Sequence, residues 1–367
     1  MTEQAWSETT VAEWCPFSYG KGLPERDRRG GEIPVYGSNG VVGWHNEAVV
    51  QGPGVVIGRK GTVGSVVLSR RPMWPIDTTF FVGEADHRDL TFTAAVLECL
   101  GLAQRNSHSA VPGLSRDDAH QLTILVPPLP EQRRIATVIE ALDDRIESAA
   151  RLEKVLGEAV LAEYGLALLD RAEELVVSLV DAVSLINGGA YTKGAGGAGR
   201  MVIRIKELNS GPSESTVYSS ITVPGNKTAY PGDVLFAWSG SLGVWRWYRD
   251  EAIVNQHIFK VLPKKHPVWL GWIHILDELE RFQDIAAGKA TTMGHITKDH
   301  LERTMVPTFS AEELEVLSAR VEPLWDAQLQ AGRELNALHA VRAQLLPALV
   351  SGELRVAAAV ELMEAAT

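Results

Sequence analysis

Two glycine-framed stretches carry residue types that could do chemistry on a nucleotide. In GPGVVIGRKGTVG, Gly52 to Gly64, a turn sets Arg59 and Lys60 among glycines, as a phosphate cradle or as a cation pair offered to another ligand. A phosphate-binding loop needs Gly, four residues, then Gly-Lys-Ser/Thr opening a helix. Here Arg59 separates Gly58 from Lys60, Gly61 separates Lys60 from Thr62, and the following VGSVVLS is β-branched as a strand would be. The literal motif fails. The second stretch, GAGGAG from Gly194 to Gly199, matches the letters of a dinucleotide fingerprint, yet it precedes the strand-like MVIRI where the fingerprint must open a helix. It reads as a flexible loop, of a kind that can lie along a DNA backbone. Neither Asn-Pro-Pro nor Asp-Pro-Pro followed by an aromatic, GxSxG or HExxH occurs. Cys15 and Cys99 have no His/Cys neighbours at metal-ligand spacing, so both read as buried small hydrophobes, with no disulfide, no metal and no catalytic residue expected.

Such turns must be positioned by larger elements, and the 367 residues, 45% hydrophobic and 22% charged, leave room for two or more domains. No apolar run reaches the roughly eighteen residues of a membrane span, and the polar N-terminus MTEQAWSETT does not read as a signal peptide; the expectation is a cytoplasmic protein with no membrane partner. The net charge of -11 argues at first against a nucleic-acid partner. Residues 128–175 and 308–367 each carry a net -5, however, so the two larger segments are near neutral and each can hold a basic face.

The two acidic segments predict long helices. In the first, Ile135, Ile139, Leu142, Ile146, Ala149, Leu152, Leu156 and Val160 recur mostly at steps of three and four. Pro130 and Glu131 suit its first turn. The second runs through Leu314, Leu317, Val321, Leu324, Gln328, Ala331, Leu335, Leu338, Arg342, Leu345 and Leu349, with Gln328 and Arg342 interrupting the seam and Ser351-Gly352 offering a stop. Helices of about 35 to 40 residues, roughly 50 to 60 Å long, would pack as an antiparallel coiled coil, with Ile135, Ile139, Leu142 and Ile146 of one facing Leu324, Leu335, Leu338 and Leu345 of the other. The alternative is a generic helical-bundle core.

A repeat about 180 residues long precedes each helix. PGVVI with Gly61-Thr62-Val63-Gly64 corresponds to PGDVL with Gly240-Ser241-Leu242-Gly243, IDTTFF to VNQHIF, and Leu114-Ser115-Arg116-Asp117 to Ile296-Thr297-Lys298-Asp299. Val126-Pro127 and Val306-Pro307 then close the two halves. The predicted order is domain, helix, domain, helix, with boundaries at 1–127, 128–175, 176–307, 308–356 and a tail at 357–367.

YGKGLPERDRRGGEIPVYGSNGVVGWHNEAVVQGPGVVIGRKGTVGSV with WPIDTTFFV, then VPPLPEQRRIATVIEALDDRI and LLPALVSGELRV, resemble the specificity (S) subunit of type I restriction-modification systems. The resemblance implies an α+β fold of two repeated α/β target-recognition domains, separated by two long helices packed as an antiparallel coiled coil with pseudo-twofold symmetry. Each domain would read half of a bipartite double-stranded DNA site, and the helices would space them and dock two methylation subunits. It also implies a chain without catalysis or cofactor, S-adenosylmethionine, ATP and Mg being used by the methylation and restriction/translocase subunits. The chain is rather short for that pattern, with a compact first half. Half-sites about one turn of DNA apart, roughly 34 Å, suit helices of the predicted length. A recognition subunit of a related phage-defence methyltransferase system is the neighbouring alternative; a helical scaffold binding protein or carbohydrate is the distant one.

For DNA contact the first domain offers Lys21, Tyr36, Ser38, Asn39, His45, Arg59 and Lys60. Glycines beside Arg59 and Lys60 permit close approach to a phosphate or base edge, or make a hairpin turn with solvated charges. Ser38-Asn39-Gly40 is also a turn signature, and His45 is either a hydrogen-bonding contact or a half-buried edge residue. In the second domain, Trp238, Ser239 and Ser241 of FAWSGSLG stand in place of the basic pair, flanked by Arg246. Arg204 and Lys206 are expected on one strand face, and Lys193, His257 and Lys289 in or near loops. Trp238 is the stacking candidate; Trp245 and Trp247 read as core.

Overall fold

The computed structural model describes residues 5–105, 113–171, 173–193, 195–288 and 294–365. Its contacts divide the chain into two units, Met1–Ile146 with Ala337–Thr367, and Glu147–Asn336. Among the described residues no helix is long and apolar enough to cross a membrane, and no cluster of His, Cys, Asp and Glu could hold a metal ion.

In the first unit the chain enters through β1 (Ser7–Thr10) and α1 (Val11–Trp14), the latter started by a Thr10/Glu13 capping box. An antiparallel sheet follows in the order β2 (Ser18–Tyr19), β8 (Thr79–Gly83), β5 (Gly54–Gly58), β6 (Val66–Ser69). A second sheet places β3 (Ile33–Gly37) between antiparallel β4 (Gly40–His45) and parallel β7 (Trp74–Pro75). The apolar runs of β5 and β8 are buried, Ile57 and Phe80 fully, beneath α2 (Leu90–Cys99). After α3 (Arg116–His120), β9 (Thr123–Val126) returns to pair with β1, Ser7 opposite Val126. Cys15 is buried, and burial pushes its thiol up to about 12; Cys99, expected to be buried, is exposed at the end of α2. Both are free thiols.

The second unit repeats this plan. β10 (Val176–Ser178) and α5 (Leu179–Ala182) lead to the antiparallel order β11 (Val183–Asn187), β18 (Ile258–Pro263), β15 (Val234–Ala237), β16 (Gly243–Arg246). Beside it, β12 (Arg200–Ile203) lies between antiparallel β13 (Tyr218–Ser219) and parallel β17 (Ala252–Val254), and α6 (Ile205–Ser210) follows β12. β14 (Thr228–Ala229) adds an outer strand on β17. Helices α7 (Val268–Asp277), α8 (Leu279–Ala287) and α9 (Lys298–Arg303) precede β19 (Met305–Pro307), which pairs with β10 as β9 does with β1. Phe236 of β15 and Phe282 of α8 meet at 5.9 Å in a core shared with Trp269, Leu270 and Ile273. The duplicated sequence therefore folds into a duplicated topology.

α4 (Leu129–Asp170) and α10 (Ala311–Val350) run unbroken, each contributing to both units, and α11 (Val356–Ala365) follows. Within the second unit Glu153 accepts from Gln328 at 2.9 Å and Glu163 pairs with Arg320 at 3.3 Å, so the helices are antiparallel. In the first, Val138, Ile139 and Leu142 line a small cavity with Leu345, Leu346 and Leu349, and Ile135 and Leu338 are each 1% exposed. Ile146, Leu324 and Leu335 are partly buried. One seam position departs from its reading: Leu152 is 49% exposed, because the helix turns Glu153 and the buried Gly157 toward Gln328 instead. Both polar interruptions are saturated. Arg342 binds Asp143 at 2.6 Å and Glu98 at 2.9 Å, and these hydrogen bonds outweigh the burial that would otherwise lower its pKa. Such polar pairs fix register better than uniform leucine would.

Gln132, in the PLPEQRR run, is 1% exposed, and its amide bonds three backbone groups. Its oxygen accepts from Asp89 N–H at 2.9 Å, while its nitrogen donates to Pro127 O at 2.9 Å and His87 O at 3.3 Å. It thus staples the start of α4 to the strand turn and to the N-terminus of α2. Gln132→Ala is expected to lower unfolding free energy by about 2 kcal/mol, since buried partners lose their bonds. Gln132→Met, which restores volume only, should lose nearly as much in denaturant titrations; full recovery by Met would assign the staple to packing.

Candidate nucleic-acid interface

In the first domain the Gly52–Gly64 stretch forms β5 and the turn after it. Gly61 and Gly64 have φ of +80° and +76°, and a Cβ on Gly64 would sit 2.3 Å from Ala103 N, so glycine is required there. Arg59 N–H and Lys60 N–H both donate to Thr78 O, at 2.9 and 3.1 Å, which fixes the tip of the turn. Lys60 is exposed. The Arg59 guanidinium lies 5.0 Å from the Tyr19 ring centre and 5.6 Å from that of Phe80, and donates to Asp77 O at 3.3 Å. Arg116, at the first turn of α3, approaches the same Tyr19 ring at 4.9 Å. Tyr19 remains 49% exposed. Two guanidiniums thus share one accessible aromatic ring.

Other predicted residues gather around this turn. Ser38 O accepts from Ser65 Oγ, and Ser38 with the exposed Asn39 makes the two-residue β3–β4 hairpin turn. Lys21 Nζ stands 5.4 Å over the Trp74 ring, whose Nε1–H donates to Lys21 O at 2.8 Å. His45 is 5% exposed; its Nδ1 accepts from Arg29 N–H at 2.9 Å and its ring meets Trp74 edge-on at 5.0 Å. Tyr36, 8% exposed, packs with Val56 and Met73. His45 and Tyr36 are therefore buried, whereas Lys21, Asn39 and Lys60 are exposed and Arg59 is half-buried.

The second domain builds the equivalent turn differently. Arg59 O accepts from Leu114 N–H at 2.9 Å, and Trp238 O accepts from Ile296 N–H at 3.1 Å, so Trp238 occupies the place of Arg59. Trp238 Nε1–H donates to Asn187 Oδ1 at 3.1 Å, and its ring faces Phe259 at 5.9 Å and His257 at 5.8 Å. Ser239 Oγ and His257 Nδ1 are 3.0 Å apart, while Ser241 is exposed. Below Trp238 opens a cavity of about 630 Å³, walled by Leu185, Ile186 and Phe259 and rimmed by Thr297 and Lys298. Lys193 lies on an exposed turn; Lys289 and Gly194 fall outside the described residues.

Three of the second domain's cations are placed otherwise than the sequence pattern suggests. Arg204 and Lys206 do not share a strand face, because the Glu207 carboxylate accepts from Arg204 N–H at 3.0 Å, ends β12 and starts α6. Burial would raise the Glu207 carboxyl, but hydrogen bonds from Arg204 and Thr216 outweigh it and hold its pKa low. Arg204 and Lys206 instead converge on Ser215, at 2.7 and 2.6 Å. Arg246 is 8% exposed and stacks on Trp325 of α10 at 3.7 Å, with Gln328 Oε1 at 3.3 Å. Tyr19, Arg116, Asn187, Phe259 and Lys298, which surround these two positions, were not among the contact residues singled out from the sequence. Arg116 and Lys298 had a visible signal, as matched positions of the repeat, whereas Tyr19 and Asn187 lie in strands with no motif.

Two modules of one topology, each joined to a long helix and each presenting a glycine-framed turn with different side chains, define a duplicated two-domain architecture. Residues 3–157 match the family model "Type I restriction modification DNA specificity domain". The match covers the first domain and most of the first long helix. Over 132 residues it is 26% identical to the type I restriction enzyme EcoprrI specificity subunit of Escherichia coli, an alignment covering 36% of this chain and 33% of that protein. It therefore spans about a third of the curated relative's length. The crystal structure of a type I restriction-modification system S subunit from M. genitalium aligns over 95% of this chain and 96% of its own, with a TM-score of 0.64 at 14% identity. That likeness concerns the fold.

Proposed function

We propose that this chain is the DNA-recognition and scaffold subunit of a type I restriction-modification complex, each domain reading one half of an asymmetric bipartite site in double-stranded DNA. The observation that carries the reading is the exchange of Arg59 for Trp238 at one hydrogen-bonded position of a repeated turn. Two readers sharing a frame but differing at the tip suit two unlike half-sites. Residues 1–127 and 176–307 are the readers; 128–175 and 308–356 are the helices that space them and dock two methylation subunits, with 357–367 as a tail. Methyl transfer from S-adenosylmethionine, and ATP- and Mg-dependent translocation and cleavage, belong to the methylation and restriction/translocase partners in the cytoplasm; this chain is non-catalytic.

Phosphate contacts supply most of the affinity and base edges the specificity. Lys21, Lys60, Lys193, Lys206 and Lys289 suit phosphate, while Ser38, Asn39, Arg59, Trp238, Ser241 and His257 suit base edges; Ser239, 4% exposed, instead holds His257 by a hydrogen bond. Co-expression with the genomically adjacent methyltransferase, followed by single-molecule mapping of modified adenines, is expected to return one bipartite, asymmetric motif; its absence sinks the reading. Lys60→Ala should weaken binding of the purified complex to all sequences alike and reduce the slope of log affinity against log salt by about 1. An unchanged affinity would make the turn a plain hairpin.

A further inference from the structure

The position below the repeated turn is matched group by group. Arg59 contacts Tyr19, at the end of β2, and Phe80 on β8. Trp238 contacts Asn187, at the end of β11, and Phe259 on β18. Tyr19 pairs with Phe80 as Asn187 pairs with Phe259, and Arg116 corresponds to Lys298 in the repeat. The frame is conserved between the halves while its chemistry is inverted. The first domain offers two guanidiniums on an exposed phenol ring; the second offers an indole over an apolar cavity, with Lys298 drawn 2.9 Å onto Glu302.

We propose that this position is a specificity determinant of each half: Arg59 and Arg116 read a guanine, and Trp238 with the cavity behind it receives the 5-methyl edge of a thymine. The inference rests on the DNA-recognition reading given above. A guanidinium presents parallel N–H donors that match guanine O6 and N7, a fit that a lysine ammonium cannot reproduce. Tyr19 holds both forks before DNA arrives, reducing the rotamer freedom lost on binding. Arg116 is half-buried and meets Asp117 only through Nε, at 3.8 Å, so that pair does not engage its terminal nitrogens. At the second position no guanidinium competes, and an apolar wall distinguishes thymine by its methyl group.

The test uses the full chain with its methylation subunit, and reads the methylated motif in cells and equilibrium binding to duplexes carrying single base-pair changes. Arg59→Lys and Arg116→Ala are expected to make one guanine of one half-site degenerate, with discrimination at that position falling about 10- to 100-fold and the other half-site intact. Trp238→Ala is expected to relax a thymine position in the other half-site only. Replacing that thymine by uracil, which lacks only the methyl, should weaken wild-type binding and leave the Trp238→Ala complex indifferent. Arg59→Lys retaining full discrimination with the salt slope of the wild type would assign Arg59 to phosphate and overturn the proposal. Relaxation of both half-sites by one variant, or a wild-type motif without guanine and thymine at the affected positions, would overturn it as well. If the wild-type complex itself returns no bipartite motif, the functional reading fails first, independently of these residues.

Discussion

Acidification from pH 7 to pH 5 is expected to remove about 2 kcal/mol of stability from the second unit through one buried histidine. His274 on α7 is 1% exposed, its Nε2 3.0 Å from Nδ1 of His266, whose own Nε2 is 2.8 Å from Thr308 Oγ1. Burial, then the neighbouring His266, depress its pKa from 6.5 to about 3; His266 is lowered in the same direction by burial and by Lys265. Tyr164 meets the ring edge-on at 6.1 Å, its phenol pKa pushed upward by burial, and burial pushes the nearby Asp277 carboxyl upward as well. Above pH 6.5 both folded and unfolded chains hold His274 neutral. Between 6.5 and 3 the unfolded chain takes up a proton that the folded chain refuses, so stability falls as pH falls, by about 1.4 kcal/mol per unit. Chemical denaturation at pH 7, 6 and 5, compared with His274→Gln, isolates this slope from that of the carboxylates. Equal slopes for both proteins would show that His274 accepts its proton in the folded state.

Gly332→Val should cost about 3 kcal/mol, an overpacking penalty at the upper end of the usual range. A Cβ on Gly332 of α10 would stand 2.7 Å from Cγ, Cδ1 and Cδ2 of Tyr248, so the ring lies against the bare helix backbone. The ring cannot retreat easily, because the Tyr248 hydroxyl donates to Glu153 Oε1 at 2.7 Å, and the same oxygen accepts from Gln328. Burial and that bond push the phenol pKa upward, keeping the donor in place. The double variant Gly332→Val/Tyr248→Ala is expected to be more stable than the sum of the single losses by 1 kcal/mol or more, roughly the coupling of contacting residues. Additive losses would mean that the valine strains something other than the ring.

The duplicated topology was legible because glycines, Val-Pro turns and apolar runs recur in one order, and local patterning of that kind survives into strands and helices. The helices were legible for the same reason, down to the two polar interruptions, although not their partners: Arg342 reaches Glu98, which is far away in sequence. Leu152 was misplaced because a seam read in steps of three and four drifts, and Gly157 admits Gln328 where a larger side chain would not. Arg204 and Lys206 misled since alternation with apolar residues suits a strand, while a capping glutamate three residues on ends it. Arg246 stood among the expected DNA contacts as the cation flanking the second turn, and only the packing of α10 reveals that Trp325 covers it. The Tyr19 stack joins residues from β2, the turn after β5 and α3, and no linear pattern encodes that meeting.

The strand pairs β1–β9 and β10–β19 bring the two ends of each domain side by side, Ser7 facing Val126 and Val176 facing Pro307. A segment with its ends clasped in this way is a cassette. A replacement of different length or reading chemistry need only restore the strand pair, the Val-Pro turn and the few side chains that meet the helix for the register of α4 and α10 to stay unchanged. On the proposed DNA-recognition function, a new target sequence would then need one contiguous exchange of coding sequence and no redesign of the two helices.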